Sequence, residues 1–290
     1  MKNRKIWIGV VLTLLCTLLM GVSVFAADAT MKNKKWITGT GGVYEDTDKD
    51  GMVDDLKSYG KVYYKIKVPK KGYIIVNTKT YKLPKEDEYY SYLENVLNFD
   101  EGRNNYTRVT LLNSSKKEME SFDNYLENGK KNIVFSAAVK KGTYYLAVES
   151  EQKYKIRYVF TAVGKLSKKG KWLDSAPTLK KGVTAKNLLF YNELMHAYKI
   201  NLPQKSKINI SVQSKLKGGD FTGSLNVQLY VKKGKKYKGI NEKGKLLSDD
   251  EASWWEIEGR DKITVTLPKG TYYIKFFSAE TSGYYTFRWK

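Results

Sequence analysis

The sequence predicts an all-β protein made of two tandem antiparallel β-sandwich domains, jelly-roll-like, behind a cleaved signal peptide. Three observations lead there. Apolar residues alternate with period two in several short runs, clusters of Gly, Pro, Asn and Asp separate the runs, and one stretch of turn-plus-strand character occurs twice. That stretch is Lys140-Lys141-Gly142-Thr143-Tyr144-Tyr145-Leu146-Ala147-Val148 and again Pro268-Lys269-Gly270-Thr271-Tyr272-Tyr273-Ile274-Lys275-Phe276. In each copy Gly offers a backbone able to take φ > 0 at a turn, and the Thr-Tyr-Tyr after it suits a half-buried pleated surface.

At the start of the chain Lys2, Arg4 and Lys5 precede an apolar run from Ile6 to Met20, and Val24 and Ala26 stand where a signal peptidase reads. This is expected to be a secretory signal peptide over 1–26, too short for a retained transmembrane helix, which needs about 20 apolar residues. The one cysteine, Cys16, lies inside it, so the secreted chain is expected to carry none and to hold together by burial. The expected location is extracellular, free or at a cell surface, with no transmembrane anchor after cleavage.

Lysine and arginine number 52 against 30 acidic residues, a net charge of +22, or +19 without Lys2, Arg4 and Lys5. Much of the excess is Lys-Lys pairs beside Gly or Pro, as at Lys70-Lys71, Lys140-Lys141 and Lys180-Lys181. Singly they read as solvated turns and protected sheet edges; summed, they make a field that draws an anionic partner.

Laid side by side, Lys34-Lys35-Trp36 matches Gly170-Lys171-Trp172, Tyr64-Lys65-Ile66 matches Tyr198-Lys199-Ile200, and Tyr154-Lys155-Ile156-Arg157 matches Tyr285-Thr286-Phe287-Arg288. A repeat of this length argues duplication of a sandwich and not a solenoid, whose period is roughly 20 to 50 residues. The expected divisions are a first sandwich over 27–164, a linker over 165–170 and a second sandwich over 171–290. Trp36 and Trp172, recurring at corresponding places, are expected to be core residues or seals. The alternating runs Val62-Tyr64-Ile66-Val68, Ile208-Ile210-Val212 and Ile263-Val265-Leu267 are strands with one face to the core. Ser115 to Leu126 is ambiguous, since Ser115-Lys116-Lys117-Glu118 resembles a capping box, while Leu225 to Tyr237 at the matching place reads as strand, turn and strand.

The ending Gly-Thr-Tyr-Tyr-x-x-x-Val followed by Tyr-x-Ile or Tyr-x-Phe, through Gly142 to Ile156 and Gly270 to Phe287, resembles the bacterial pre-peptidase C-terminal domain. The resemblance implies a secreted jelly-roll-like sandwich with an accessory or ligand-binding role and no catalysis, sometimes with bound calcium.

Asp46-Thr47-Asp48-Lys49-Asp50-Gly51-Met52-Val53-Asp54 places oxygens at loop positions one, three and five around a turn-making Gly, with the Met52 carbonyl and Asp54 at seven and nine. Position twelve is Lys57 where a bidentate Glu is expected, so a weak calcium cage and a plain acidic hairpin loop both stay open. His196 is the only histidine and stands at a strand end, which leaves too little for a zinc site or a Ser-His-Asp triad. A carboxylate pair formed across strands is invisible in one dimension, so a glycoside hydrolase is an alternative the residues do not favour.

The candidate ligand-binding residues are aromatic and basic. Trp254-Trp255 in a strand would put one indole in the core and the other in solvent, as a platform for a sugar ring. Tyr89 and Tyr90 would act similarly, and Lys232, Lys233, Lys235 and Lys236 open a stretch of interleaved lysine and tyrosine from Lys232 to Lys245 that also suits a phosphate backbone. Secretion argues against a dedicated nucleic-acid role. The expected function is therefore a secreted binding or adhesion module for an extracellular polysaccharide or anionic wall polymer; the alternative is an accessory subunit of a separate secreted enzyme.

Overall fold

A computed structural model describes residues 29–39, 43–45, 55–57, 61–80, 105–126, 132–150, 153–191, 193, 195–218, 224–247, 252–278 and 281–290. The signal segment, Asp46 to Asp54, Tyr89 and Tyr90 lie outside them.

The chain is built of β-strands. The first eleven are β1 (Ala29–Thr30), β2 (Ile37–Gly39), β3 (Val43–Glu45), β4 (Asp55–Lys57), β5 (Val62–Val68), β6 (Gly72–Thr80), β7 (Asn105–Leu112), β8 (Glu118–Leu126), β9 (Asn132–Val139), β10 (Gly142–Ser150) and β11 (Tyr154–Ala162). A sheet in the order β1-β5-β10-β7-β8 faces one in the order β2-β11-β6-β9, while β3 and β4 form a separate hairpin. The alternation on β5 buries Tyr64, Ile66 and Val68 against Ile74, Phe135 and Ile156 from the opposite sheet. Each fully buried aliphatic side chain contributes roughly 1.5–3 kcal/mol, which is how a chain without disulfides closes its core.

The remaining strands are β12 (Thr184–Leu189), β13 (His196–Leu202), β14 (Ser206–Ser214), β15 (Leu225–Lys233), β16 (Lys236–Ile240), β17 (Trp254–Ile257), β18 (Arg260–Leu267), β19 (Gly270–Phe277) and β20 (Gly283–Trp289). Here β12-β20-β14-β18 faces β13-β19-β15-β16, with β17 also paired to β15. The strand orders of the two sandwiches correspond, and so does the register. Gly142 lies opposite Val68 and Gly270 opposite Leu202; Tyr145 lies opposite Lys65 and Tyr273 opposite Lys199. Even the parallel pairing recurs, as β1 on β5 and as a single bridge from Thr178 to Lys199.

Gly142 and Gly270 correct one expectation. Neither has positive φ; among the described glycines that conformation belongs to Gly182, Gly234, Gly244 and Gly259. Each of the repeated glycines opens a strand beneath the tyrosine two residues on. A Cβ there would meet the Tyr144 ring at 3.6 Å or the Tyr272 ring at 3.5 Å. The Tyr144 hydroxyl donates to the Lys140 carbonyl at 3.1 Å and the Tyr272 hydroxyl to that of Pro268 at 3.0 Å. The ring folds back over the glycine and ties the turn down, like the tyrosine corner of immunoglobulin-type sandwiches.

The ambiguous segment is a hairpin. Asn113 Oδ1 accepts from the Ser115 and Lys117 amides at 2.9 and 3.0 Å, which closes the turn between β7 and β8 and leaves no free cap for a helix.

Trp36 and Trp172 are neither core nor seals, being 36% and 57% exposed. The register also separates them: Trp36 directly precedes Ile37, whereas Trp172 caps a turn of 3₁₀ helix (Leu173–Ser175) well ahead of β12. Trp36 lies under two cations, the Arg157 guanidinium at 4.5 Å and Lys79 Nζ at 5.6 Å from its ring centre.

Residues 165–170 are held in place, with the Ser167 amide bonded to the Lys186 carbonyl and the Gly170 amide to that of Ala197. The sandwiches also bond directly. The Ser136 amide donates to the Lys217 carbonyl at 2.8 Å, the Ser136 hydroxyl to that of Ser282 at 2.8 Å, and Ser282 Oγ accepts from the Ala138 amide at 2.8 Å. Tyr73 and Tyr284 stack beside them at 5.4 Å. These bonds occupy backbone groups along β9, at the end of its sheet, that would otherwise invite another strand.

Candidate functional site

On β15 and β19 the period of two sorts side chains cleanly. Val227, Leu229, Tyr272, Ile274 and Phe276 enter the core. Gln228, Tyr230 and Lys232 take the opposite, outer face, and their register partners there are Lys275 and Tyr273 on β19, with Trp254 on β17 and Tyr237 on β16. Phe277 follows Lys275 on this face, and the Lys275 ammonium stands 4.4 Å from its ring centre. Tyr237 and Tyr273 meet edge to face at 5.0 Å, with Lys232 Nζ 5.2 Å from the Tyr237 ring centre. The result is a strip of aromatic rings interleaved with ammonium groups. Trp254 is its most open ring, at 56% exposure. From Trp254, opposite Gln228, to Tyr237, opposite Lys232, is four residues of strand or roughly 13 Å, the reach of a short run of sugar rings.

The strip is preorganised by hydrogen bonds. Gln228 Nε2 donates to the Ala252 carbonyl at 3.0 Å and Gln228 Oε1 accepts from the Tyr230 hydroxyl at 3.0 Å. At the other end Asp174 Oδ1 accepts from the Tyr237 hydroxyl at 2.6 Å and from Lys232 Nζ at 2.9 Å. Those two bonds, the hydroxyl's first, hold the Asp174 carboxyl below the usual carboxylate range. Burial lowers the pKa of Lys275.

The first sandwich handles the matching face differently. Tyr145, Ala147 and Leu112 are buried there with Tyr63 against them, and Lys116 covers the two tyrosine rings at 5.1 and 4.5 Å. In the second sandwich Gln228 and Tyr230 at the corresponding places are also buried, and the difference is that Trp254 stands out in solvent beside them.

Of the sequence-derived residues, Trp254 and Lys232 share this outer face, at register positions four residues apart along β15. Trp255 turns inward and packs half-buried against the core, as strand alternation requires. Lys233, Lys235 and Lys236 surround the tip of the β15–β16 hairpin, where Gly234 takes φ +60°. Tyr89, Tyr90 and the acidic set Asp46, Asp48, Asp50, Met52 and Asp54 lie outside the described residues, although β3 and β4 pair on either side of that loop with Glu45 opposite Asp55. Sequence reasoning missed Tyr237, Tyr273, Lys275, Phe277 and Asp174. Alternation along Tyr272 to Phe277 marked the outward residues of β19; nothing local marked Asp174, which reaches Lys232 from 58 positions away.

A second polar group is buried. In the first sandwich Tyr64 and Tyr154 join their hydroxyls at 2.9 Å. In the second the matching pair, Tyr198 and Tyr285, is extended in both directions. Asn187 Nδ2 donates to the Tyr198 hydroxyl at 2.5 Å, the two hydroxyls meet at 3.2 Å, and Tyr285 reaches His196 Nδ1 at 2.7 Å. Nε2 of His196 meets Glu193 Oε2 at 2.9 Å and contacts Lys169 Nζ, which itself donates to Glu193 at 2.6 Å. Burial pushes the His196 pKa down. Burial also works to raise that of Glu193, but its bonds from His196 and Lys169 hold it down at about 2. With His196 only 1% exposed, this is a folding device inside the second sandwich and not an accessible base.

Among the described residues no cluster of His, Cys, Asp or Glu is placed to hold a metal, and no helix is long and apolar enough to cross a membrane.

Comparison with known proteins finds distant structural likenesses. No protein-family model matches the chain, and no curated protein matches its sequence. Among solved structures, the pre-peptidase C-terminal domain of a collagenase from Bacillus anthracis is 17% identical, over 40% of this chain and 94% of that one, with a TM-score of 0.29. The CUB1-EGF-CUB2 region of rat MASP-1 is 10% identical over 89% of this chain and 99% of that one, with a TM-score of 0.24. A putative secreted protein from Parabacteroides distasonis is 8% identical over 87% and 86%, with a TM-score of 0.23. At these scores the fold assignment rests on the sheets themselves.

Proposed function

We propose that this is a secreted, non-catalytic module that binds an acidic extracellular polysaccharide or similar anionic polymer along the outer face of β15, β16, β17 and β19. The observation that carries the reading is the strip itself, where Trp254, Tyr237, Tyr273 and Phe277 present ring faces and edges beside Lys275, with Lys232 at the far end already bonded to Asp174. Aromatic faces suit the apolar faces of sugar rings, and ammonium groups suit their carboxylates or sulfates. The chain-wide excess of lysine supplies the longer-range attraction. Membership of the pre-peptidase C-terminal family is part of the same proposal, supported by the repeated Gly-Thr-Tyr-Tyr ending and the tyrosine that closes each turn.

A sedimentation screen of the mature protein against acidic and neutral polysaccharides, with products assayed in parallel, tests this. Retention by the acidic polymers without turnover is expected. Release of sugar fragments, abolished by carboxylate substitution, would replace the reading with a hydrolase, and retention only alongside a co-secreted enzyme would replace it with an accessory subunit.

For the loop from Asp46 to Asp54 we propose a weak calcium site, supported by its D-x-D-x-D-G spacing and by the β3–β4 hairpin that brackets it. Calcium at about 10 mM should then raise the thermal midpoint, because a ligand that binds only the folded state stabilises it. A midpoint that does not move, or one that still moves in Asp48→Ala with Asp50→Ala, removes calcium.

A further inference from the structure

We propose that the end of the second sandwich holds a separate pocket for one acidic sugar ring, a pyranose bearing a carboxylate. The pocket encloses about 300 Å³ between the end of β15, the end of β16 and the β18–β19 turn. Small-molecule sites run from roughly 300 to 1,000 Å³, so it suits a single ring and not a length of chain. Its floor is apolar, formed by the buried side chains of Ile240 and Tyr272. The Tyr272 hydroxyl is already committed to the Pro268 carbonyl, which leaves the ring to serve as surface. At the rim stand Lys233, Lys269 and Leu246, the last 52% exposed and otherwise an unexplained apolar side chain in a lysine-rich region.

The charges decide the ligand. Lys232 also lines the pocket, but its ammonium is taken by Asp174. Lys233 and Lys269 have no acidic partner among the described residues, and no acidic side chain lines the space. A group that satisfies both halves has an anion at one end and an apolar face on the other, which describes a uronate ring. A bare anion would leave the floor and Leu246 unused; a neutral sugar would leave the ammonium groups unused.

The inference rests on the reading that the protein binds acidic glycans, and the test separates the two. Glucuronate, glucose and inorganic phosphate are titrated by calorimetry into the mature protein, into Lys233→Ala with Lys269→Ala, into Leu246→Ser and into Trp254→Ala, each checked for fold by circular dichroism. Glucuronate is expected to saturate at roughly millimolar concentration, with glucose and phosphate at least about tenfold weaker, since a hydrogen bond to a charged group contributes about 1.5–3 kcal/mol and tenfold is 1.4 kcal/mol. The double lysine variant should lose at least about tenfold, Leu246→Ser a few-fold, and Trp254→Ala nothing. Phosphate binding as tightly as glucuronate, or glucuronate binding unchanged in the folded double lysine variant, overturns the pocket. Acidic polymer retained without any glucuronate binding overturns the pocket and leaves the sheet-face reading intact; glucuronate bound without polymer overturns the sheet-face reading and leaves the pocket.

Discussion

Gly39→Ala should destabilise the first sandwich by about 3 kcal/mol or more, combining overpacking with a broken buried hydroxyl pair. Gly39 on β2 lies opposite Tyr154, and a Cβ placed on it would stand 2.2 Å from Cζ and 2.5 Å from the hydroxyl oxygen of that ring. Tyr154 cannot retreat cheaply, because its hydroxyl is bonded to Tyr64 inside the core and the ring meets that of Tyr64 edge to face at 6.5 Å. The second sandwich shows the alternative solution. At the matching register Asn187 faces Tyr285, whose hydroxyl runs to His196, and the amide joins the network through Tyr198. Urea unfolding with hydrogen exchange read on β2, β6 and β11 measures the effect, and a loss below about 1 kcal/mol would mean that the glycine is not required.

Acid should loosen the second sandwich before the first. His196 is held neutral in the folded protein, so its pKa there lies below the unfolded value of about 6.5. The unfolded chain therefore takes up the proton first, and the stability this group permits is fully present above about pH 6.5 and declines as pH falls below it. Glu193 acts in the same direction lower down: its carboxylate, held at about 2 in the fold, contributes fully above its unfolded value and progressively less as pH falls toward 2. The groups facing His196 are Glu193, Lys169 and Tyr285, and of these only Glu193 titrates in acid, below the His196 window. Hydrogen-exchange protection of β13, β19 and β20 should accordingly fall between pH 7 and 5 while that of β5, β10 and β11 holds. His196→Val, the residue type found at the matching Val62, should flatten that slope; a slope unchanged in the variant would assign the acid sensitivity elsewhere.

Much of the fold is legible in the sequence because it is local. A period of two reports which side of a strand is wet, so Tyr64, Ile66 and Val68 are readable as core from their own neighbours, and the direction of Trp254 against Trp255 follows from adjacency. The repeated Gly-Thr-Tyr-Tyr stretch marks equivalent strands, yet neither glycine takes positive φ, and the ring two residues on that folds back over it is a contact invisible to a rule about φ. Trp36 and Trp172 mislead for the opposite reason: matching short motifs ignored the register, which sheet pairing alone defines. The binding face is less legible still. Tyr237 and Tyr273 meet only because β16 and β19 flank β15, and Asp174 and His196 acquire their roles from groups that the fold, and not the spacing, brings near.

The claim that an anionic polymer lies along the β15–β19 face is tested most directly by its affinity across a salt series, for the wild type and Trp254→Ala. With attraction led by distributed lysines and screened over about 8 Å at physiological ionic strength, affinity should fall steeply as salt rises. Trp254→Ala should weaken binding further by about 0.5–1.5 kcal/mol at every salt concentration, the contribution of one aromatic contact. Affinity that is indifferent to salt, or unaltered by loss of the indole, would contradict the account.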